Sequence, residues 1–244
     1  MEKNIWERVL QNLENLHYTG LLWLICTLLA LIIGIKHYRS ELSYKLLIIY
    51  CISSLLILNV IHDCILFSFD NKDQRRIIYG EATNTLFALV EISTFFYFFR
   101  QLLNNKIIQT LIKIFWIIFS ILCIAFIIKI TEVELSKVQI IKNSYYINIF
   151  EFFLLLPLCL VYFYQLLTKE QNKPVQLTDS PSFWIVSGLF FYCIVSLPFL
   201  FYGKNSLIRS ASLFNLIGAI HYISISLLFL CLTKAFSCKK TLTT

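Results

Sequence analysis

The chain has 244 residues, of which 58% are hydrophobic and only 14% charged, and its mean hydropathy is +0.74. That balance excludes an ordinary soluble domain. The formal charge of +7 does not point to nucleic acid, because the Lys and Arg residues gather at the ends of apolar runs. There they snorkel toward anionic headgroups.

Residues 1–17 carry Ile5, Trp6, Val9, Leu10, Leu13 and Leu16 at helical spacing. Glu2, Glu7 and Glu14 interrupt them, and no small-residue cleavage site follows, so the segment does not read as a signal peptide. It reads as an amphipathic helix lying on the membrane surface or against the edge of a bundle. Seven apolar runs then follow, at 18–35, 42–67, 79–103, 107–128, 144–167, 181–202 and 211–232. Each has about the 20 residues a helix needs to cross a hydrocarbon core. Lipid offers the backbone no hydrogen-bond partner, so such runs must be helical. The expected fold is all-α: a seven-transmembrane-helix bundle over 18–235, preceded by the surface helix and followed by a short basic tail, 236–244.

Local signals refine the runs. Asp179, Ser180 and Pro181 supply a cap and a first-position proline for the sixth helix. Pro157 and Pro198 lie inside the fifth and sixth runs and predict kinks. Ser187, Gly188, Gly218 and Ala219 predict close helix contacts. The segment 129–143 reads as the longest outer connection, a short strand pair or amphipathic turn. The connections are too short for an output domain, so any signal would pass to a partner chain. The eight cysteines include no CxxC pair, which argues against a disulfide framework or a zinc knuckle.

With the N-terminus outside, the basic residues divide 11 inside to 10 outside, and the positive-inside rule scarcely discriminates. The acidic residues fall mostly outside, and the tail with Lys234, Lys239 and Lys240 has none. N-out and C-in is therefore the expected orientation.

Ionisable residues inside membrane helices mark function by default, and five occur here: His62, Asp63, Glu91, Glu151 and His221. Counted along the runs, all five lie in the outer half of the bilayer, on four different helices. Asn59 is one turn from His62 and Asp63, Asn148 is one turn from Glu151, and Asn84 shares the face of Glu91. Tyr222 and Ser224 flank His221. These spacings put the side chains on common faces and predict an inward polar layer, with Glu91 and His221 at its base and Glu151, Asp63 and His62 above.

Such a layer supports several chemistries: a ligand pocket, a proton path, a metal site, or polar contacts that only lock helices together. HxxxH, ExxH and HExxH spacings are absent, and the adjacent His62 and Asp63 point about 100° apart on a helix, so no metal or other cofactor is expected. Neither a nucleophile elbow nor a cysteine–histidine set is recognisable, and the last run lacks the buried lysine a retinal pigment needs. The run Phe95–Arg100 reads as an interfacial aromatic belt with a snorkelling arginine.

The stretches NTLFALVEISTFFYFFRQL, SPSFWIVSGLFFYCIVSLPFLF and LFNLIGAIHYISISLLFLCLTKAF resemble a group of uncharacterised multi-span membrane proteins of Bacteroidota. That group carries a glutamate midway along its third helix, as Glu91 stands here, and a Ser-Pro-x-Phe-Trp opening to its sixth, as at Ser180 to Trp184. Its members are often encoded near sensor kinases or regulators, so the resemblance implies a sensory role in a bacterial inner membrane. The expectation is a receptor-like, non-enzymatic protein. It binds a small ligand in an outward-facing intramembrane pocket and signals through a partner protein. The alternatives are a membrane-embedded enzyme acting on a lipid, with or without a metal, and a proton-coupled carrier.

Overall fold

A computed structural model describes residues 18–37, 41–69, 73–132, 136–169, 177–204 and 211–238. The amphipathic stretch 1–17 and the end of the tail, 239–244, lie outside the described residues. Among those residues the chain forms seven helical rods and no strand. They are α1 (Tyr18–Lys36), α2 (42–68), α3 (Gln74–Leu102), α4 (Lys106–Glu132), α5 (Lys137–Lys169), α6 (Pro181–Lys204) and α7 (Ala211–Ser237). The rods α3 to α7 each contain a stretch long and apolar enough to cross a membrane, while Gly20–Lys36 and Leu42–Leu58 are shorter apolar stretches.

Polar side chains close the helix ends where the backbone runs out of partners. Asp73 accepts from the Arg75 amide at 2.9 Å and opens α3. The Arg75 side chain, followed by that amide, holds the Asp73 carboxyl below the usual carboxylate range. Asn105 accepts from the Ile107 amide at 2.9 Å and opens α4. A reciprocal capping box opens α5, with the Ser136 amide donating to Gln139 Oε1 at 3.2 Å and the Gln139 amide donating to Ser136 Oγ at 3.4 Å. The expected connection 129–143 is therefore mostly helix: α4 runs on to Glu132 and α5 starts at Lys137.

The rod α2 is not uniform. Leu42–Ser53 is α-helical, Ser54–Ile61 is a π-helix, and His62–Ser68 is α-helical again. Ser54 and His62 both hold right-handed helical dihedrals, so the rod is continuous through the junctions. Along α5 and α6 the helix also continues through Pro157 and Pro198. Both prolines sit on the exposed outer face of the bundle rather than beside its interior.

Cross-helix pairs set the directions. Tyr44, early in α2, donates its hydroxyl to the Ala235 carbonyl, late in α7, at 3.1 Å. Gly34, late in α1, faces Phe236, late in α7, and Gly188, early in α6, faces Cys231. Ser43 donates to Gln101 near the end of α3. Early α3 and early α5 share an apolar cluster with late α4, built on Ile78, Ile140, Phe126 and Ile130. The odd-numbered rods thus run one way and the even-numbered rods the other.

Within this arrangement α3 is central, with 61% of its most apolar stretch buried, and α4 is peripheral, with 22% buried. The outside of the bundle is apolar: Ile25, Ile32, Ile117, Ile121, Phe153 and Leu230 are all exposed. A surface of that kind suits lipid and not water, which makes this a multi-pass membrane protein.

Candidate functional site

Tyr50 stands at the middle of the bundle. Its ring is fully buried, stacks on Phe229 of α7 at 5.6 Å and 7°, lies tilted against Phe87 and meets Phe95 edge-on, both of α3. This packing aims the hydroxyl at α3, where it donates to Glu91 Oε1 at 3.4 Å, a long bond. Glu91 is 2% exposed and Glu151, on α5, is 3% exposed. The two carboxyls are near enough for Glu151 to feel the charge of Glu91. Glu151 Oε1 is buried with no hydrogen-bond partner. Among the described residues no Lys or Arg forms an ion pair with either carboxyl.

Tyr192 of α6 extends the group. Its ring packs edge-on against Phe152 at 5.1 Å and lies 6.1 Å from the His221 ring, and both carboxyls act on its hydroxyl electrostatically. His221, on α7, stacks flat on Phe199 at 4.7 Å. Its Nδ1 lies 2.9 Å from Ser196 Oγ, which lies 3.4 Å from Ser224 Oγ. Ser224 already donates to the His221 carbonyl at 2.7 Å, so toward Ser196 it can only accept. In one proton arrangement Ser196 donates to His221 Nδ1. In the other, Nδ1–H donates to Ser196, which donates on to Ser224. The choice of tautomer at His221 thus sets the direction of this short chain.

A second polar group lies toward the start of α3. The His62 ring rests on Gly80, with Cε1 3.5 Å from where a Cβ would stand. Asn84 and Ser144 lie within hydrogen-bonding reach of Glu81, and Tyr145 is close by. Gly80 and Glu91 are eleven residues apart, about 16 Å along a helix. The four ionisable residues whose side chains are described therefore occupy two levels and not one layer. Glu91, Glu151 and His221 share the central level through Tyr192, and His62 stands at the other. Asn84, on the face of Glu91 by spacing, turns to Glu81. Asp63 and Asn59 lie on α2, but their side chains are outside the described residues.

The helix register of α2 explains how both levels face α3. Tyr50 and His62 are twelve residues apart, which in a regular α-helix leaves them about 120° apart. The wider turn of the π segment between them advances each residue by less. Eight such residues take back most of the difference, so Tyr50 meets Glu91 and His62 meets Gly80 on the same neighbouring helix.

Tyr50, Tyr192, Ser196 and Glu81 are site neighbours that sequence reading passes over. A tyrosine in an apolar run is more often core than site, and Glu81 reads as a helix-end acid. The group offers acceptors (two carboxyls, a histidine and two serines) together with two phenol hydroxyls. Among the described residues no group of three or more His, Cys, Asp or Glu side chains is disposed to hold a metal ion. No protein-family model, curated protein or solved structure matches the chain. Its function is therefore argued from the site itself.

Proposed function

We propose that the chain is a seven-crossing membrane receptor, N-terminus outside, that binds a small ligand at Glu91, Glu151, Tyr50, Tyr192 and His221. One observation carries the reading: two buried carboxyls, on α3 and α5 and within electrostatic range of one another, have no cationic partner among the described residues. Buried charge or polarity without a partner costs stability, and intramembrane carboxyls are retained where they act. The ligand that complements them carries hydrogen-bond donors or a positive charge, as a small amine or guanidine does.

Glu81, Asn84 and Glu91 fall within an 80° stripe of α3 at about 100° per residue. That stripe, with His62 beside it, supports a polar approach from the outer end of the bundle to the central carboxyls. The internal connections of the chain are too short to hold an output domain, which supports transmission to a partner chain.

A proton-coupled carrier is the second reading, and the His221–Ser196–Ser224 chain favours it, because its two proton arrangements suit relay. The test is a thermal-shift series on detergent-purified protein with small amines and guanidines. Receptor binding predicts saturable stabilisation by at least one class, lost in Glu91→Gln and in Glu151→Gln. Proteoliposomes carrying a pH gradient then separate the two readings. Uptake of the stabilising compound driven by the gradient would establish the carrier and remove the receptor.

A further inference from the structure

A second site lies on the outside of the bundle, away from the central carboxyls. Between α3 and α4 runs a groove of about 160 Å³ lined by Ser93, Phe96, Tyr97, Arg100, Lys113 and Trp116. That is room for several water molecules, or for a phosphodiester and its nearest carbons.

The inner end of the groove is satisfied. Trp116 Nε1 donates to Ser93 Oγ at 2.9 Å, and Ser93 donates to the Leu89 carbonyl at 2.6 Å. The mouth is not. Arg100 Nε is buried without a hydrogen-bond acceptor, and no lining residue carries a negative charge. Tyr97 accepts from Gln101 at 2.8 Å and keeps its own hydroxyl hydrogen to donate. Two cationic side chains and a phenol donor therefore line one groove, and the buried Arg100 Nε has no protein acceptor in it. A buried guanidinium nitrogen without an acceptor is costly, and a phosphate oxygen is the acceptor that best fits its fork.

Position decides where that phosphate comes from. Arg100 lies two residues before the end of α3, at the level of headgroups. The flank of α4 beside the groove presents Ile114, Phe115, Ile117, Ile118 and Ile121 outward. A phosphate attached to acyl chains gains contact with those side chains, and a free phosphate does not.

We propose that the groove between α3 and α4 binds the headgroup phosphate of an anionic phospholipid, with Arg100 and Lys113 as its cationic clamp and Trp116 and Phe96 as its walls. Basic pockets between membrane helices recognise such headgroups. The site is separate from the proposed receptor centre, so either stands if the other fails.

The test uses the full chain in phosphatidylcholine bilayers containing brominated phosphatidylglycerol or brominated phosphatidylcholine. Bromine quenches nearby indoles, and subtracting the Trp116→Phe signal isolates Trp116. The expected result is a preference for phosphatidylglycerol over phosphatidylcholine of about fivefold at Trp116. It should fall to near unity in Arg100→Gln/Lys113→Gln and to an intermediate value in Lys113→Gln, whose side chain is exposed and whose folding is secure. Equal quenching by both lipids in the wild type, or a preference that survives in the variants, would overturn the proposal. So would loss of the preference on adding inorganic phosphate but not chloride of the same ionic strength, because that result assigns the site to free phosphate.

Discussion

Glu151 holds a buried oxygen with no hydrogen-bond partner, whereas Glu91 accepts one long bond from Tyr50. An unsatisfied buried polar group costs about 1–3 kcal/mol. Replacing Glu151 by Gln keeps the shape and removes a potential charge from a site without a cation. The expected outcome is an unfolding free energy raised by roughly 1–2 kcal/mol in Glu151→Gln. Tyr50→Phe removes a 3.4 Å bond while keeping the stacked ring, and should lower it by under about 1 kcal/mol. Denaturant unfolding in mixed micelles checks both. A Glu151→Gln protein clearly less stable than wild type would mean that the carboxylate has a partner in the membrane. If Glu151→Gln is stabilised but no longer responds to ligand, the carboxyl is kept for function at the expense of stability.

At the scale of helices, small residues set how closely α6 and α7 approach. A Cβ added at Gly188 would stand 2.7 Å from Cys231 Cβ and 3.3 Å from Leu228 Cα, neither of which can swing away. Alanine gains about 1 kcal/mol of helix propensity over glycine, but overpacking costs about 1–3 kcal/mol, and a contact with fixed atoms belongs at the upper end. Gly188→Ala should therefore lower the melting midpoint, and Cys231→Gly in the same chain should restore part of the loss by removing the opposing Cβ. Ala at Gly218 meets Phe199 only at 3.9 Å and should be near neutral. Thermal melts of the four proteins decide it, and an unchanged midpoint in Gly188→Ala would place the two helices further apart. Gly188 was legible in sequence as a contact position. The capping box at Ser136 and Gln139 was passed over in the sequence reading, although its spacing marks a helix start, and it explains why the expected outer connection is helical instead. The π segment of α2 was not legible: SLLILNVI is as apolar as its surroundings, and the wider turn follows from how Tyr50 and His62 both pack on α3.

Over the whole molecule, hydropathy displayed the seven rods because each rod is one uninterrupted apolar run. It did not display their neighbours, because lipid-facing and core-facing residues are alike in polarity. Phe119 is buried and Phe115 exposed on the same helix, and no polarity contrast separates them. For the same reason the ionisable residues stood out singly, but their grouping into two levels depended on cross-helix register. Alternation of the rods places the start of α1 and the end of α7 at opposite ends of the bundle. If all seven cross the bilayer, reporters fused to the two termini must lie on opposite sides. Under the proposed N-out orientation, fluorescent protein at the C-terminus should then mature in the cytoplasm, and phosphatase at the N-terminus, behind an export signal, should be active outside. Both α1 and α2 contain apolar stretches shorter than the other five, so failure of either one to cross would put both termini on the same side. A fluorescent C-terminus with an inactive N-terminal phosphatase, or a dark C-terminus with an active one, would show six crossings and would also reverse the headgroup leaflet expected at Arg100 relative to one terminus.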